Sequence, residues 1–329
     1  MEHPIRPIRF CPLLERKLWG GNQIAALKGL TDYERRIGES FEVSALLGEA
    51  TPESEGDDVG LNIPELIGKY GARLVGKNNM ERYGTQFPLL IKIIDARSDL
   101  SIQVHPDDEM ARTEGMPYGK SEMWFVVKAA PGASIVNGFC RDVDDAYFEH
   151  MLADGSLTAH LNCFETHPGD AFYIPAGRIH SIGAGNLLVE VQQSSGATYR
   201  VYDFDRTDEN GKQRELHVEK ARRALNFEKT ADGRISYRNA MNERVAVKQS
   251  PYFSTHVYHL TELFEQDFSA IDSFVIMVAY EGSALLTDGA GHTLPIKAGQ
   301  TVMFPAENNS VTFRPTSPCF SCFEATIEN

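Results

Sequence analysis

The chain is poor in cysteine, in positive charge and in long apolar runs. Its five cysteines (Cys11, Cys140, Cys163, Cys319 and Cys322) form an odd, scattered set in 329 residues, which excludes a disulfide framework. Cys319 and Cys322 make a C-x-x-C inside the apolar run Pro318-Cys319-Phe320-Ser321-Cys322-Phe323. That run reads as a strand, on which residues three apart point to opposite faces, so the pair suits neither redox chemistry nor a metal. No window approaches the roughly 18 uninterrupted apolar residues that a membrane helix needs. The start, Met1-Glu2-His3-Pro4, lacks the basic and apolar regions of a secretory signal, which points to the cytoplasm. Lys and Arg number 32 against 46 Asp and Glu, a net charge of −14. This argues against nucleic acid or an anionic membrane as partner. An anionic small molecule is then expected only where Lys and Arg are gathered locally.

With 42% hydrophobic and 24% charged residues, the composition is that of a globular protein with real cores. The length predicts two domains, or one with a large elaboration. Short strands dominate. Gly38-Glu39-Ser40-Phe41-Glu42-Val43-Ser44 alternates; the run from Phe87 through Ile91, Lys92 and Ile93 to Ala96 reads as a buried strand, as does Asn186 to Gln192. Residues 51–84 mix an acidic loop with helical pieces and read as an insertion capping one end of the first domain. Residues 142–159 and 215–226 read as helices, the first capped by Asp142 and the second joining two halves. An internal repeat organises the rest. Gly169-Asp170-Ala171-Phe172-Tyr173-Ile174-Pro175-Ala176 matches Gly299-Gln300-Thr301-Val302-Met303-Phe304-Pro305-Ala306 at an offset of 130. Upstream, Phe125-Val126-Val127 is set against Val275-Ile276-Met277. Two copies of a unit of short strands predict a mainly β protein of two double-sheet, jelly-roll barrels. The first spans 1–214 and the second, with its linking helix, 215–329. His180 of the first copy aligns with Ser310 of the second, so the first half is expected to hold the chemistry.

That chemistry centres on Leu100-Ser101-Ile102-Gln103-Val104-His105-Pro106. An apolar strand with period two puts Gln103 and His105 on one face, and Pro106 ends it. His180 sits in G-x5-P-x-G-x2-H, formed by Gly169, Pro175, Gly177 and His180. This resembles the second signature of the cupins, with Ala184 where that signature carries asparagine. Gln103, His105, Glu122 and His180 together offer oxygen, nitrogen, oxygen and nitrogen. Two imidazoles and one carboxylate suit zinc or another first-row divalent ion, and leave it the net positive charge of a Lewis acid. Lys120 lies two residues before Glu122 and so faces the same way. Arg200 follows a strand end, where it serves either a salt bridge or an anionic group. His256 and His259 would point apart on a strand.

These stretches, with Trp19-Gly20-Gly21, Gly119-Lys120-Ser121-Glu122 and Tyr173-Ile174-Pro175-Ala176-Gly177, closely resemble the type I mannose-6-phosphate isomerases, particularly their short bacterial form. The resemblance covers residues 10 to about 206. It implies two cupin-type barrels, a zinc ion on Gln103, His105, Glu122 and His180, and catalytic roles for Lys120 and Arg200. It also implies interconversion of mannose 6-phosphate and fructose 6-phosphate through an enediolate. The proton-transferring base stays open between Glu190 and Asp203, and Lys120 either shuttles a proton or holds a substrate oxygen. Two other classes share the residues: a metal-binding cupin of different chemistry, such as an oxygenase or epimerase, and a non-catalytic sugar-phosphate-binding protein.

Overall fold

The computed structural model describes residues 3–31, 36–208, 210–231 and 233–328. It is mainly β, built on four large sheets with a two-stranded one, Arg9–Phe10 with Glu53–Glu55, beside them. In the first half a seven-stranded sheet runs in the order Arg234–Ile235, Ala171–Ile174, Glu122–Ala129, Asn186–Gln193, Leu89–Ala96, Leu13–Gly21, Ile37–Val43. It faces a five-stranded sheet of Tyr199–Tyr202, Ile102–Val104, His180–Ile182, Ser134–Phe139 and Leu161–Glu165. The second half pairs a five-stranded sheet (Val245–Gln249, Ser254–Leu260, Phe320–Thr326, Val275–Glu281, Thr301–Phe304) with a four-stranded one. Each half is thus a sandwich of open sheets, and neither closes as a barrel. No helix of the described residues is long and apolar enough to cross a membrane.

Side-chain alternation explains the stacking. On Glu122–Ala129, Trp124 and Val126 pack with Phe172, Ile174, Ile94 and Leu188 toward the five-stranded sheet, where they meet Ile135 and Ile182. Met123 and Phe125 point the other way, into the largest core, with Val278, Ile276 and Phe323 of the second half. Both faces of this sheet are buried, so its central strands are apolar almost throughout. Of the charged residues that break that run, Glu122, Lys92 and Glu190 fall on the inner face, whereas Asp95 falls on the outer one and accepts from the Gln23 N–H.

The insertion folds as three helices. Ile63–Tyr70 is capped by Asn62 with Glu65 in a reciprocal capping box, and Pro64 occupies the first turn. Ala72–Val75 and Lys77–Tyr83 follow. Ile63, Leu66, Ile67, Leu74 and Val75 enter the core shared by both halves. Asp272 of the second half accepts from the backbone N–H groups of Lys77 and Asn78, each at 2.9 Å. After the short helix Asp108–Thr113, capped by Asp107, comes Asp145–Ala153, capped by Asp144 rather than Asp142; Asp142 instead accepts from the Lys229 N–H. Helix Val218–Ala224 and strand Arg234–Ile235 pack on the first half, the strand pairing with Ala171–Phe172.

The repeat holds, with one correction of phase. Ala171 faces Phe125 as Thr301 faces Val278. Phe125 therefore corresponds to Val278, not Val275, and Glu122 corresponds to Val275. Apolar residues alone do not fix the phase of a strand buried on both faces; hydrogen-bond register does.

Candidate metal centre and active site

Three antiparallel neighbours in the five-stranded sheet bring distant residues together. His180 opens its strand opposite Gln103, and Gln103 stands opposite Arg200 on its other side. Directly opposed residues share a face, so all three point toward the seven-stranded sheet. The turn that delivers His180 needs its glycines: Gly169 has φ +90° and Gly177 φ +82°. His105 lies one residue past the strand Ile102–Val104, held by Pro106 and by the Gly177 N–H, which donates to its carbonyl at 2.9 Å. Glu122 comes from the facing sheet as the first residue of its strand.

The side chains converge. His105 Nε2 is 3.1 Å from His180 Nε2 and 3.1 Å from Glu122 Oε1, while His180 Nε2 is 3.9 Å from Glu122 Oε2. All three residues are essentially buried. His180 Nδ1 lies 2.7 Å from the Arg178 carbonyl, which only accepts, so Nδ1 carries the proton and Nε2 presents a lone pair. Burial, reinforced by Lys120, pushes His105 down to about 3, and burial lowers His180 too; both rings are neutral. Against the effect of burial, the Lys120 ammonium, 3.0 Å from Oε1, holds the Glu122 carboxyl well below its ordinary range. His105 Nδ1 and both Glu122 oxygens receive no directed hydrogen bond despite complete burial. Neutral nitrogens and a carboxylate turned on one another with unanswered lone pairs fit a divalent cation.

Gln103 and Arg200 line a cavity of about 300 Å³ together with Lys120 and Glu122. The Gln103 side chain makes no hydrogen bond among the described residues. Arg200 donates from Nη1 to the Glu215 carbonyl at 2.7 Å and from Nε to Ser101 Oγ at 3.3 Å. Of the two acidic candidates, Glu190 lines this cavity and Asp203 does not; Asp203 is taken up by Arg206 and Arg214, at 2.5 Å each. Glu190 accepts from Trp124 Nε1 at 2.8 Å, and its other oxygen, 3.5 Å from Lys92 Nζ, receives no directed hydrogen bond. Burial, with Glu122 adding to it, raises Glu190 to about 7.

Lys17, Trp19, Glu39, Lys92 and Arg214 also line the cavity, and sequence reasoning did not single them out. A lysine inside the apolar run Leu89–Ala96 was the available signal. Lys92 is buried between Glu39 and Glu190, both at 3.5 Å. The second half has no such centre at the matching positions: Asp267, Val275 and Ser310 replace Gln103, Glu122 and His180. His256 and His259 part as expected, to Glu324 and Ser321. His256, Glu324 and Glu328 cluster there, but the Arg244 guanidinium sits on both carboxylates and supplies the positive charge.

Comparison with known proteins adds a family. Residues 8–143 match the catalytic domain of type I phosphomannose isomerase. A mannose-6-phosphate isomerase of Streptococcus mutans is 32% identical over 270 residues, 82% of this chain and 84% of that protein. One from Bacillus subtilis is 30% identical over 302 residues, 91% of this chain and 93% of that protein. The crystal structure of the mannose 6-phosphate isomerase from Bacillus subtilis superposes with a TM-score of 0.86 at 30% identity, covering 98% of this chain and 99% of that one.

Proposed function

The chain belongs to the type I mannose-6-phosphate isomerases, a family of metal-dependent aldose–ketose isomerases, and we propose that its cavity interconverts mannose 6-phosphate and fructose 6-phosphate. One observation carries the assignment to this cavity: Glu122, on which the buried His105 and His180 converge, lines a space shared with Lys17, Lys92, Lys120, Arg200 and Arg214. In a chain of net charge −14, a lining of five cations against Glu39, Glu49, Glu122 and Glu190 gathers positive charge locally, as an anionic substrate requires.

Zinc is the ion we assign, with Gln103, His105, Glu122 and His180 as its ligands. When bound, it supplies a Lewis acid that polarises the oxygens on the two reacting carbons. The remaining work falls to the chain. Carbon-bound protons are very weakly acidic, so the barrier falls by placing a base and by stabilising the oxyanion that develops. Glu190, which lines the cavity, is the base, and Trp124 and Lys92 hold its carboxyl. Arg200, half-buried and without an ion pair among the described residues, stabilises the enediolate oxygen. Lys120, fixed by Glu122, donates to a substrate oxygen. The lysines and arginines of the lining hold the phosphate, and the buried Trp19 beside them keeps water from the reacting carbons. The five cysteines are all unpaired, which fits the cytoplasmic setting that belongs to the same proposal.

The test is a coupled assay without oxygen. The purified protein should convert mannose 6-phosphate to fructose 6-phosphate under strict anaerobiosis. Binding without turnover, or turnover that needs oxygen, contradicts the assignment.

A further inference from the structure

The short segment that carries Lys120 and Glu122 into the cavity is held from the far side of the sheet. Three consecutive backbone N–H groups lie just before the strand ladder begins, and each finds a different acceptor. Gly119 donates to Asp108 Oδ1 at 2.8 Å, Lys120 to the Pro106 carbonyl at 2.9 Å, and Ser121 to Gln193 Oε1 at 2.8 Å. The Gln193 amide then closes the circuit, donating from Nε2 to the same Asp108 Oδ1 at 2.9 Å. Its own N–H donates to the Ser121 carbonyl at 3.2 Å. Gly119 has no room for a side chain: a Cβ there would lie 2.4 Å from the Asp107 carbonyl carbon and 2.6 Å from Asp108 N. Ser121 Oγ accepts from the Ala176 N–H at 3.1 Å, which ties in the turn leading to His180.

Gln193 is buried, and alternation on Asn186–Gln193 puts it on the face opposite Glu190. It is absent from the lining of the cavity, so it touches no substrate. The Tyr252 phenol of the second half faces the same circuit: burial and Asp108 raise its pKa, and Ser121 lowers it.

We propose that Gln193, bridging Asp108 and the Ser121 backbone, is a positioning residue that sets the aim of Lys120 and Glu122. The inference rests on the isomerase reading for its effect on rate, and on the metal centre alone for its effect on Glu122. A buried amide with both ends engaged fixes a backbone in a way that a merely apolar filler of the same shape does not.

The experiment compares Gln193→Met and Gln193→Glu with Asp108→Asn. Methionine keeps the shape and removes both hydrogen bonds. Glutamate keeps the acceptor for Ser121 but sets a carboxylate against Asp108, whereas Asp108→Asn keeps the Oδ1 acceptor that Gly119 and Gln193 share and leaves the circuit closed. Two quantities are read: kcat and KM with mannose 6-phosphate, and the visible absorption of the cobalt-substituted protein, which reports the ligand field at Glu122. Both Gln193 variants should bind one cobalt per chain, show an altered spectrum and lose about 10- to 100-fold in kcat at little-changed KM. Asp108→Asn should keep both readouts at their wild-type values. A wild-type spectrum and kcat in the Gln193 variants overturn the proposal, and so does an equal change in Asp108→Asn, which assigns the effect to the Asp108 charge. If the wild-type protein isomerises nothing, the isomerase reading fails, and the cobalt spectra still decide the role of Gln193.

Discussion

Arg200 keeps its charge for something outside the protein. Its guanidinium meets a backbone carbonyl and a hydroxyl, and forms no ion pair among the described residues. Burial, with Arg214 next, lowers its pKa, yet a guanidinium stays cationic in proteins. An uncompensated cation in a cavity is worth most where negative charge appears during the reaction. Arg200→Ala should therefore cost about 100-fold or more in kcat with bound metal retained; loss of the metal, or a change within about threefold, contradicts the role. Glu190 makes a second prediction. As a base it acts ionised, and its pKa is raised to about 7, so activity should rise with pH along an acid limb at or below that value, since a cation beside Glu122 moves the limb down. Glu190→Gln should remove the limb together with most of the rate; an unchanged profile would assign the limb elsewhere. At these positions the sequence was legible because strand alternation and short spacings pair Gln103 with His105 and Lys120 with Glu122. Lys92, Glu39 and Trp19 were not legible as cavity residues. Their partners lie on other strands, and a lysine in an apolar run does not announce which carboxylates will surround it.

Among the elements, the strand Phe320–Thr326 shows what the repeat kept. Glu324 faces Met277 and His256 across the ladder as Glu190 faces Trp124 and Lys92. A buried carboxylate with a cationic neighbour thus persists in both halves, while the ligand positions survive in only one. In the second half it is structural: Arg244 contacts Glu324 with Nη2 at 2.6 Å, and His256 and Tyr258 complete the set. Against the effect of burial, His256 and Arg244 hold the Glu324 carboxyl down at about 2. Its contribution to stability is present above its ordinary value of 4.5 and is lost as pH falls toward 2. Arg244→Met leaves that carboxylate buried without its main partner and should cost about 3–5 kcal/mol near neutral pH, read as a lower urea midpoint with unchanged slope. A cost below about 1 kcal/mol would mean that the pair is solvated. The repeat itself was readable from the Gly169 and Gly299 turns, because glycine at positive φ and a following proline mark a fixed point in a strand connection. The phase of the flanking strand was not, since one apolar triplet resembles another until its hydrogen bonds are known.

Across the whole molecule, the two halves share their largest core instead of meeting at a polar seam. Phe125 packs its ring at a tilt against Phe323 and Tyr280 across it. A buried tether crosses it as well: Glu42 takes Lys28 at 2.7 Å and the Thr301 hydroxyl at 2.9 Å, and Lys28 also donates to the Gly299 carbonyl. The second half therefore backs the sheet that carries Glu122, Lys92 and Glu190, and gives it a rigid outer face. Everything proposed for the reaction depends on one cation held between the two sheets of the first half by His105, Glu122 and His180 with Gln103. Elemental analysis of the purified wild type beside His105→Ala and His180→Ala, with the isomerase rate measured on the same samples, tests this. The account predicts one divalent ion per wild-type chain, and loss of both ion and activity in each variant. A full complement of metal in either variant, or undiminished isomerisation by metal-free protein, would contradict it.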